Sequence, residues 1–132
     1  MRAAEVYSGL SHAERLKVGA VITKDDRIIS IGYNGTPTGM DNTCEQVLVE
    51  ELVTKPEVIH AEANAILFAA KTGIPTDKTI LVVTHSPCFD CAKMIIQAGI
   101  KIVYYKELYR DDSPLDLLES AGVQVFQVFS KK

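Results

Sequence analysis

The order of apolar and polar positions along the chain predicts an initial hairpin followed by alternating helices and strands. Residues 18–23 and 27–33 are rich in β-branched side chains, and the Lys-Asp-Asp stretch between them favours a turn. Further along, segments ended by glycine or proline predict three helices, at 61–71, 87–98 and 114–121. A continuous apolar run predicts a strand at 79–84, and two further strands are predicted at 101–105 and 123–129.

The remaining segments complete a layered architecture. We predict a short helix at 2–12, a loop rich in glycine and proline at 34–42, and a helix at 45–53. Because strands alternate with helices after the hairpin, we expect a mixed central sheet of about five strands with helices on both faces. The predicted fold class is therefore three-layer α/β/α.

Length, composition and charge restrict the classes of function. The 132 residues include 47% hydrophobic and 23% charged side chains, which indicates a folded globular chain, and no linker or repeat divides it. We therefore predict a single domain over residues 1–132. A net charge of −3 gives no basic surface for DNA or RNA, and no apolar run is long enough to span a membrane. We expect neither nucleic acid nor membrane as a partner, and a cytoplasmic location.

Two short motifs carry the candidate chemistry, and both lie where a predicted helix begins. His60 and Glu62 form an H-x-E motif, and Cys88 and Cys91 belong to a P-C-x-x-C motif. One imidazole and two thiolates are typical ligands of Zn²⁺, and three protein ligands leave the fourth tetrahedral position open. Together the motifs are the signature of zinc-dependent nucleobase deaminases. We therefore predict His60, Cys88 and Cys91 as the metal ligands.

Glu62 is the predicted acid/base catalyst. Residues two positions apart do not share a helical face, so Glu62 is better placed to reach a water on the metal than to bind beside His60. Two thiolates and a neutral imidazole leave the zinc site near zero net charge, and such a weak Lewis acid needs a nearby base. We expect Glu62 to take a proton from water and to return protons to the base being deaminated.

The residues alone leave other interpretations open. A C-x-x-C pair also occurs in redox proteins. A closed structural zinc site would need a fourth protein ligand, for which Cys44 and His85 are the candidates. Without that role, Cys44 is expected in the core, and His85 is expected in a loop, with contact to a bound ligand as the alternative. The odd number of cysteines, three, argues against a disulfide framework.

Four sequence blocks, in the same order, resemble those of the deoxycytidylate (dCMP) deaminases, a family within the cytidine-deaminase-like superfamily. The blocks lie at 17–22, 27–37, 60–66 and 86–91, and the Gly-Tyr-Asn-Gly-x-Pro stretch of the second narrows the resemblance to this family. The resemblance implies the cytidine-deaminase-like fold and hydrolysis of dCMP to dUMP and ammonia, which supplies a precursor of dTMP. The alternative is another nucleoside, nucleotide or tRNA base deaminase of the superfamily, or a non-catalytic zinc-binding module.

The resemblance also implies residues that bind the substrate. Asn34 and Ser86 match residues beside the nucleoside and the leaving amine, and Arg15 and Tyr109 match residues that we assign to the 5′-phosphate. Independently, an arginine suits a phosphate because its guanidinium donates hydrogen bonds in pairs. A solvent-exposed Arg15 without a ligand is the alternative.

Members of the family are similar in forming homohexamers that dCTP activates and dTTP inhibits, with Mg²⁺ accompanying the triphosphate. The resemblance implies the same partners here, with effector contacts from Tyr33, Gly35, Thr36 and Phe68. Phe68 fits a core position on its helix equally well. Some members hold a second zinc ion through a cysteine at the position that Ala13 occupies, so we predict one zinc ion per subunit.

Overall fold

A mixed sheet of five strands forms the centre of the structure, a computed structural model in which residues 1–129 are described. Residues 130–132, the end of the predicted domain, lie outside the described residues. In chain order the elements are α1 (Arg2–Ser8), β1 (Gly19–Lys24), β2 (Arg27–Tyr33), β3 (Glu45–Leu48), β4 (Glu51–Thr54), α2 (Ala61–Thr72), β5 (Ile80–His85), α3 (Phe89–Gln97), β6 (Ile102–Glu107), α4 (Ser113–Ser120) and β7 (Gln124–Gln127).

The strands of the central sheet follow the order β2-β1-β5-β6-β7. β1 is antiparallel to β2 and to β5, whereas β5, β6 and β7 run parallel. β1 and β2 form the predicted hairpin, in which Lys24 pairs with Arg27 and the turn residues Asp25 and Asp26 have φ of 52° and 62°. A turn with both central residues at positive φ matches the twist of a hairpin, and aspartate tolerates this conformation.

Two glycines show that helices cover both faces of the sheet. A Cβ on Gly19 would overlap the backbone of Ala4 in α1. A Cβ on Gly32 would instead overlap the backbone of Ala61 in α2. Gly32 pairs with Ala20, the residue after Gly19, and successive residues of a strand face opposite sides of a sheet. α1 therefore packs on one face and α2 on the other, which confirms the predicted three layers.

The main hydrophobic core lies between the sheet and the layer of α2, α3 and α4. Its fully buried large side chains come from β1, β5, α3, β6 and α4; they are Ile22, Leu81, Val83, Ile95, Val103 and Leu118. Complete burial of one such side chain contributes about 1.5–3 kcal/mol to folding. Because α2 and α3 belong to this layer, their packing on the sheet fixes the positions of their amino ends.

The segment predicted as a helix at 45–53 is a β-hairpin, so that prediction is wrong. β3 and β4 pair with Glu45 opposite Thr54. The turn residues Val49 and Glu50 both have positive φ, at 49° and 62°. A Val-Glu pair does not signal such a turn, for which Asn-Gly or Asp-Gly is typical. Distant contacts decide the strand conformation, because the buried carboxylate of Glu45 accepts hydrogen bonds from the backbone of residues 14 and 15.

The other predicted elements are present, and their ends differ by a residue or two, except in the first helix. The helix predicted at 2–12 ends at Ser8, and Gly9 is its C-cap. The hydroxyl of Ser11 then donates a hydrogen bond to the carbonyl oxygen of Asn34, 2.7 Å away, so the chain after α1 follows the end of β2. Across residues 1–129, no helix combines the length and the apolar character that crossing a membrane requires.

Candidate active site

The amino ends of α2 and α3 meet at one site. His60 is the N-cap of α2 and Cys88 is the N-cap of α3, and both have an extended backbone. A two-hydrogen-bond bridge holds the residue before His60, because the N–H groups of Gly35 and Ile59 each donate to the other's carbonyl oxygen at 3.0 and 2.7 Å. The side-chain amide of Asn64 donates to the last carbonyl of β2 at 2.8 Å. The start of α2 is therefore tied to the end of β2.

His60, Cys88 and Cys91 form a cluster with the dimensions of a metal site. The Nδ1 atom of His60 lies 3.4 Å from the Sγ of Cys88 and 3.5 Å from the Sγ of Cys91. All three ligand atoms lie within 4.8 Å of one another. Tetrahedral Zn²⁺ with Zn–S and Zn–N bonds of about 2.3 and 2.1 Å places its ligand atoms roughly 3.5–3.8 Å apart. The structure thus brings together the three predicted ligands, and their donor set fits zinc.

Hydrogen bonds within the cluster favour a thiolate at Cys88. The hydrogen bonds from Cys91 and then His60 lower the pKa of the Cys88 thiol to about 4. The contact with Cys88, together with burial, raises the pKa of Cys91. The hydrogen bond to Cys88 also raises the pKa of His60. Cys88 is therefore ionised at neutral pH, and a thiolate is the form of cysteine that binds metals.

Glu62 lies in the first turn of α2, directly beside the cluster in sequence, and its side chain is almost completely buried. Only 4% of its surface is exposed. Burial is the main reason why the pKa of Glu62 is raised from 4.5 to about 7. A carboxyl group that titrates near neutral pH can both accept and donate a proton at that pH, as an acid/base catalyst must.

A cleft of about 580 Å³, here called the catalytic cleft, contains the predicted catalytic and substrate-binding residues. This volume is within the usual range for small-molecule sites. His60, Glu62 and Cys88 line it together with all four residues that were predicted to bind the substrate, namely Arg15, Asn34, Ser86 and Tyr109. These seven residues come from segments far apart in the chain, and the fold gathers them around one space.

Asn34 joins two segments of the cleft wall. Its Oδ1 accepts a hydrogen bond from the N–H of Val18 at 2.9 Å, and its Nδ2 donates to the carbonyl of Leu16 at 2.7 Å. An asparagine side chain has two N–H groups and a carbonyl oxygen with two lone pairs. Asn34 therefore retains hydrogen-bonding capacity beyond these two backbone contacts. Its role in holding the segment before β1 was not apparent from the sequence.

Ser86 holds the segment that carries Tyr109. The hydroxyl oxygen of Ser86 accepts a hydrogen bond from the backbone N–H of Tyr109 at 2.7 Å, and the Ser86 side chain is buried. The N–H of Ser86 donates to the carbonyl of Glu107, the last residue of β6, at 2.9 Å. The guanidinium of Arg110 lies 5.0 Å from the centre of the Tyr109 ring, within the range of a cation–π contact.

Arg15 is exposed at the edge of the cleft and contacts the β3–β4 hairpin. Its Nη1 donates a hydrogen bond to the hydroxyl oxygen of Thr54 at 3.0 Å. A guanidinium has five N–H donors in a planar fork, so this single contact leaves donors on the other side of the group. Arg15 is therefore held in the cleft wall while it can still bind an anion.

Some lining residues were missed by the sequence reasoning. Thr54 lies one residue beyond the segment that was wrongly predicted as a helix, and Arg110 follows β6 in a segment without a recognisable motif. Val58 and Phe89 also line the cleft. Phe89 immediately follows Cys88, so the P-C-x-x-C motif could have indicated it. For the other three, only their approach to distant segments reveals their position.

The two candidates for a fourth metal ligand lie outside the cluster. Cys44 is buried, as its default interpretation predicted, and its sulfur contacts the carbonyl oxygen of Asn42 at 3.5 Å. His85 is the last residue of β5 and not a loop residue as predicted; it lines the catalytic cleft, and its Nδ1 lies 2.8 Å from the hydroxyl oxygen of Thr84. Burial lowers the pKa of His85. Within residues 1–129, the metal-binding cluster contains His60, Cys88 and Cys91 alone, which fits an open site.

The residues that were predicted to bind an effector are divided between two places. Tyr33, Gly35 and Thr36 line a second cavity of about 310 Å³, which also includes Asn34. Phe68 does not line this cavity. It lies on the outer side of α2 with 48% of its surface exposed, so the alternative that placed it in the core is wrong.

Comparisons with known proteins identify the family. Residues 1–107 match the family described as the cytidine and deoxycytidylate deaminase zinc-binding region. The chain is 46% identical over 121 residues to ComE operon protein 2 of Bacillus subtilis. The aligned region covers 89% of this chain but only 63% of that protein. It is 39% identical over 155 residues to the deoxycytidylate deaminase of Enterobacteria phage T4, covering 87% of this chain and 80% of that protein.

A solved structure shows the same fold. The dCMP deaminase of cyanophage S-TIM5, in complex with dCMP and dUMP, is similar with a TM-score of 0.90 and 44% identity, over 96% of this chain and 92% of that chain. The sheet order, the helices on both faces and the His-Cys-Cys cluster agree with this likeness. The chain therefore belongs to the zinc-binding cytidine and deoxycytidylate deaminase family.

Proposed function

We propose that this chain is a zinc-dependent dCMP deaminase, which hydrolyses dCMP to dUMP and ammonia. The observation that carries the proposal is the catalytic cleft, because it combines the metal-binding cluster and Glu62 with an arginine at its edge. The metal-binding cluster and Glu62 suit deamination of a base, and the arginine suits a nucleotide rather than a nucleoside as substrate. Relatives named deoxycytidylate deaminase, and the cyanophage structure that contains dCMP and dUMP, support the same substrate.

In the proposed reaction, His60, Cys88 and Cys91 hold one zinc ion, and Glu62 transfers the protons. When bound, zinc supplies a Lewis acid that lowers the pKa of a water molecule. Glu62 takes a proton from the water that attacks C4 of the cytosine, and passes it to N3. It then takes the remaining hydroxyl proton and delivers it to the amine at C4. The C4–N bond breaks, ammonia leaves and a carbonyl group remains.

The rest of the cleft would position the nucleotide. Asn34 would hold the sugar with the hydrogen-bonding capacity that its backbone contacts leave, and the Ser86 backbone would lie beside the leaving amine. Arg15 and Tyr109 would bind the 5′-phosphate. The charge-assisted hydrogen bonds of a guanidinium are strong enough to favour dCMP over deoxycytidine.

We also propose regulation by nucleotides, with dCTP as activator, dTTP as inhibitor and Mg²⁺ bound with the triphosphate, in a cytoplasmic homohexamer. The second cavity supports an effector site, because Tyr33, Gly35 and Thr36 line it beside Asn34 of the catalytic cleft. Phe68 would contribute only if a bound effector or another subunit reached the exposed side of α2. Sedimentation and activity measurements with each triphosphate test this part separately.

Ammonia release by the zinc-loaded protein tests the reaction. The substrates are dCMP, deoxycytidine, CMP and a tRNA anticodon stem-loop, each with and without dCTP or dTTP. We expect dCMP to be the best substrate and Glu62→Gln to lower kcat by at least about 100-fold, because the proton carrier is lost. Glu119→Gln, an exposed change on α4, is the control. Preference for the stem-loop or for deoxycytidine would assign another member of the superfamily. No turnover with zinc bound would favour a non-catalytic zinc module.

A further inference from the structure

Glu45 is a buried carboxylate whose hydrogen bonds all go to one short loop. Only 6% of its surface is exposed. Its Oε1 and Oε2 each accept a hydrogen bond from the N–H of Glu14 at 3.0 Å, and Oε2 also accepts one from the N–H of Arg15 at 3.3 Å. Burial of a charged group is costly unless hydrogen bonds compensate it, and here the backbone of residues 14 and 15 provides them.

The hairpin that carries Glu45 also holds the side chain of Arg15. Thr54 stands directly opposite Glu45 in the β3–β4 pairing, and residues opposite each other in antiparallel strands project from the same face. The hydroxyl oxygen of Thr54 accepts the hydrogen bond from Nη1 of Arg15 at 3.0 Å. One face at the base of the hairpin therefore contacts both the backbone and the guanidinium of Arg15.

The base of the hairpin is anchored, whereas its tip is exposed to solvent. The N–H of Lys55 donates to the carbonyl oxygen of Cys44 at 2.7 Å, and the Cys44 side chain is buried. At the tip, Val49 has 97% of its surface exposed. Residues 14 and 15, in contrast, lie between α1 and β1 without regular structure. Glu45 and Thr54 thus hold residues 14 and 15, which have no helix or strand of their own, while Asn34 holds the residues that follow at Leu16 and Val18.

We propose that Glu45 is a positioning residue for nucleotide binding, which fixes the Arg15 loop so that the guanidinium faces the phosphate end of the catalytic cleft. This inference rests on the proposed function, in which Arg15 binds the 5′-phosphate. Without the carboxylate, the loop would have to become ordered when the nucleotide binds, and that cost reduces affinity. The hydrogen bonds of the Glu45 carboxylate go to the backbone of residues 14 and 15 and not to Glu62 or the metal-binding cluster, so the effect falls on KM for the phosphorylated substrate.

The test compares substrates with and without a phosphate on the zinc-loaded Glu45→Gln protein. Glutamine keeps the shape but replaces one accepting oxygen with an N–H₂ group that opposes the backbone N–H. We expect KM for dCMP to rise about 5-fold to 30-fold, with kcat nearly unchanged. We expect kcat/KM for deoxycytidine to stay unchanged. Inhibition by dUMP should weaken by the same factor as dCMP binding, and inhibition by deoxyuridine should not weaken.

Two further variants separate positioning from general damage to the fold. Glu51→Gln changes an exposed residue on the other face of the same hairpin, and should leave KM for dCMP and KM for deoxycytidine unchanged. Thr54→Val removes the acceptor for the guanidinium with little change in volume, and should raise KM for dCMP about 2-fold to 10-fold. Thr54→Val gives an independent result if Glu45→Gln does not fold.

The Arg15→Ala variant distinguishes failure of this inference from failure of the proposed function. We expect it to raise KM for dCMP, and Glu45→Gln to add nothing further in that background, because both changes act through one residue. If Arg15→Ala raises KM but Glu45→Gln and Thr54→Val do not, the positioning role is overturned and the phosphate site stands. An equal loss on deoxycytidine also overturns the positioning role. If Arg15→Ala has no effect, the phosphate assignment fails and the role of Glu45 fails with it.

Discussion

At the scale of single residues, Glu62 illustrates how position in the fold determines chemistry. The H-x-E motif identifies a carboxylate near a metal-binding histidine, but many exposed glutamates follow a helix N-cap. Burial changes this one, because it raises the pKa of Glu62 from 4.5 to about 7. The proton-carrier role proposed for Glu62 therefore depends on burial, which changes the pKa of an otherwise common residue.

The raised pKa of Glu62 predicts how stability depends on pH. Because the folded protein favours the protonated form, the stability that this group contributes is fully present below pH 4.5 and is lost as the pH rises through about 7. Glu62→Gln removes the dependence. We expect the zinc-free variant to gain roughly 3 kcal/mol relative to the zinc-free parent between pH 4.5 and pH 8.

Urea unfolding of both proteins across this pH range measures the difference. Glu119→Gln is the matched control, because its exposed side chain should show no such trend. A free-energy difference between Glu62→Gln and the parent that stays constant with pH would mean that the folded protein does not desolvate Glu62.

At the scale of elements, the junction of β2 and α2 places the metal-binding histidine. Gly32 in β2 allows the backbone of α2 to approach closely, and the bridge between Gly35 and Ile59 then sets the residue before His60. A larger side chain at Gly32 would push the first turn of α2 away from the sheet. The position of His60 and Glu62 therefore depends on a glycine outside the zinc motif.

We predict that Gly32→Ala is destabilising. The added Cβ would meet the backbone of both Ala61 and Ala65, and relief of such an overlap costs about 1–3 kcal/mol. Gly35→Ala is the matched control. A Cβ there has no neighbour within 4 Å, so its effect should stay within about 0.5 kcal/mol. Denaturant unfolding compares the two variants, and equal stability of both would show that the close approach is unimportant.

The β3–β4 hairpin is the element whose type the sequence did not reveal. Its apolar residues are compatible with either a helix or a strand, and its Val-Glu turn lacks the usual hairpin residues. The hydrogen bonds of Glu45 to the loop at residues 14 and 15 join segments far apart in the chain. Local propensity contains no information on such contacts, which explains why the prediction failed here and succeeded for the core strands.

At the scale of the whole molecule, the proposed zinc ion connects the two helices that the metal-binding cluster brings together. His60 lies at the start of α2, and Cys88 and Cys91 lie at the start of α3. A ligand that binds the folded state alone stabilises it by mass action. The metal should therefore contribute to stability as well as to catalysis.

We predict that chelation lowers Tm by on the order of 10 °C, with recovery when zinc is restored. The Tm of Cys88→Ala should not respond to chelator, because a ligand is missing. Cys44→Ala should have a lower starting Tm, because it removes a buried side chain, but should respond to chelator as the parent does. Loss of the response in Cys44→Ala would restore Cys44 as a metal ligand. Calorimetry measures Tm with and without chelator, and elemental analysis measures the zinc that each protein binds.

The sequence by itself determined the succession of helices and strands along the chain, apart from the β3–β4 hairpin, and the chemistry of the metal-binding set. The hydrophobic pattern of a strand and the ligand types of a metal motif are both visible in residues close together in the chain. A structure was therefore not needed to interpret the strands at 18–23 and 27–33 or the motifs at His60 and Cys88. The roles of Arg15 and Tyr109, in contrast, came from family resemblance, and they stay predictions.

Only the tertiary structure decided which residues share the catalytic cleft. It placed Arg15 beside Thr54, made Asn34 a link to the segment before β1, and separated Phe68 from the second cavity. The physical reason is that these contacts join segments distant in the chain, and their distances depend on packing of the whole sheet and its helices. The sequence therefore indicates the reaction, whereas packing decides which residues are placed to hold the proposed nucleotide.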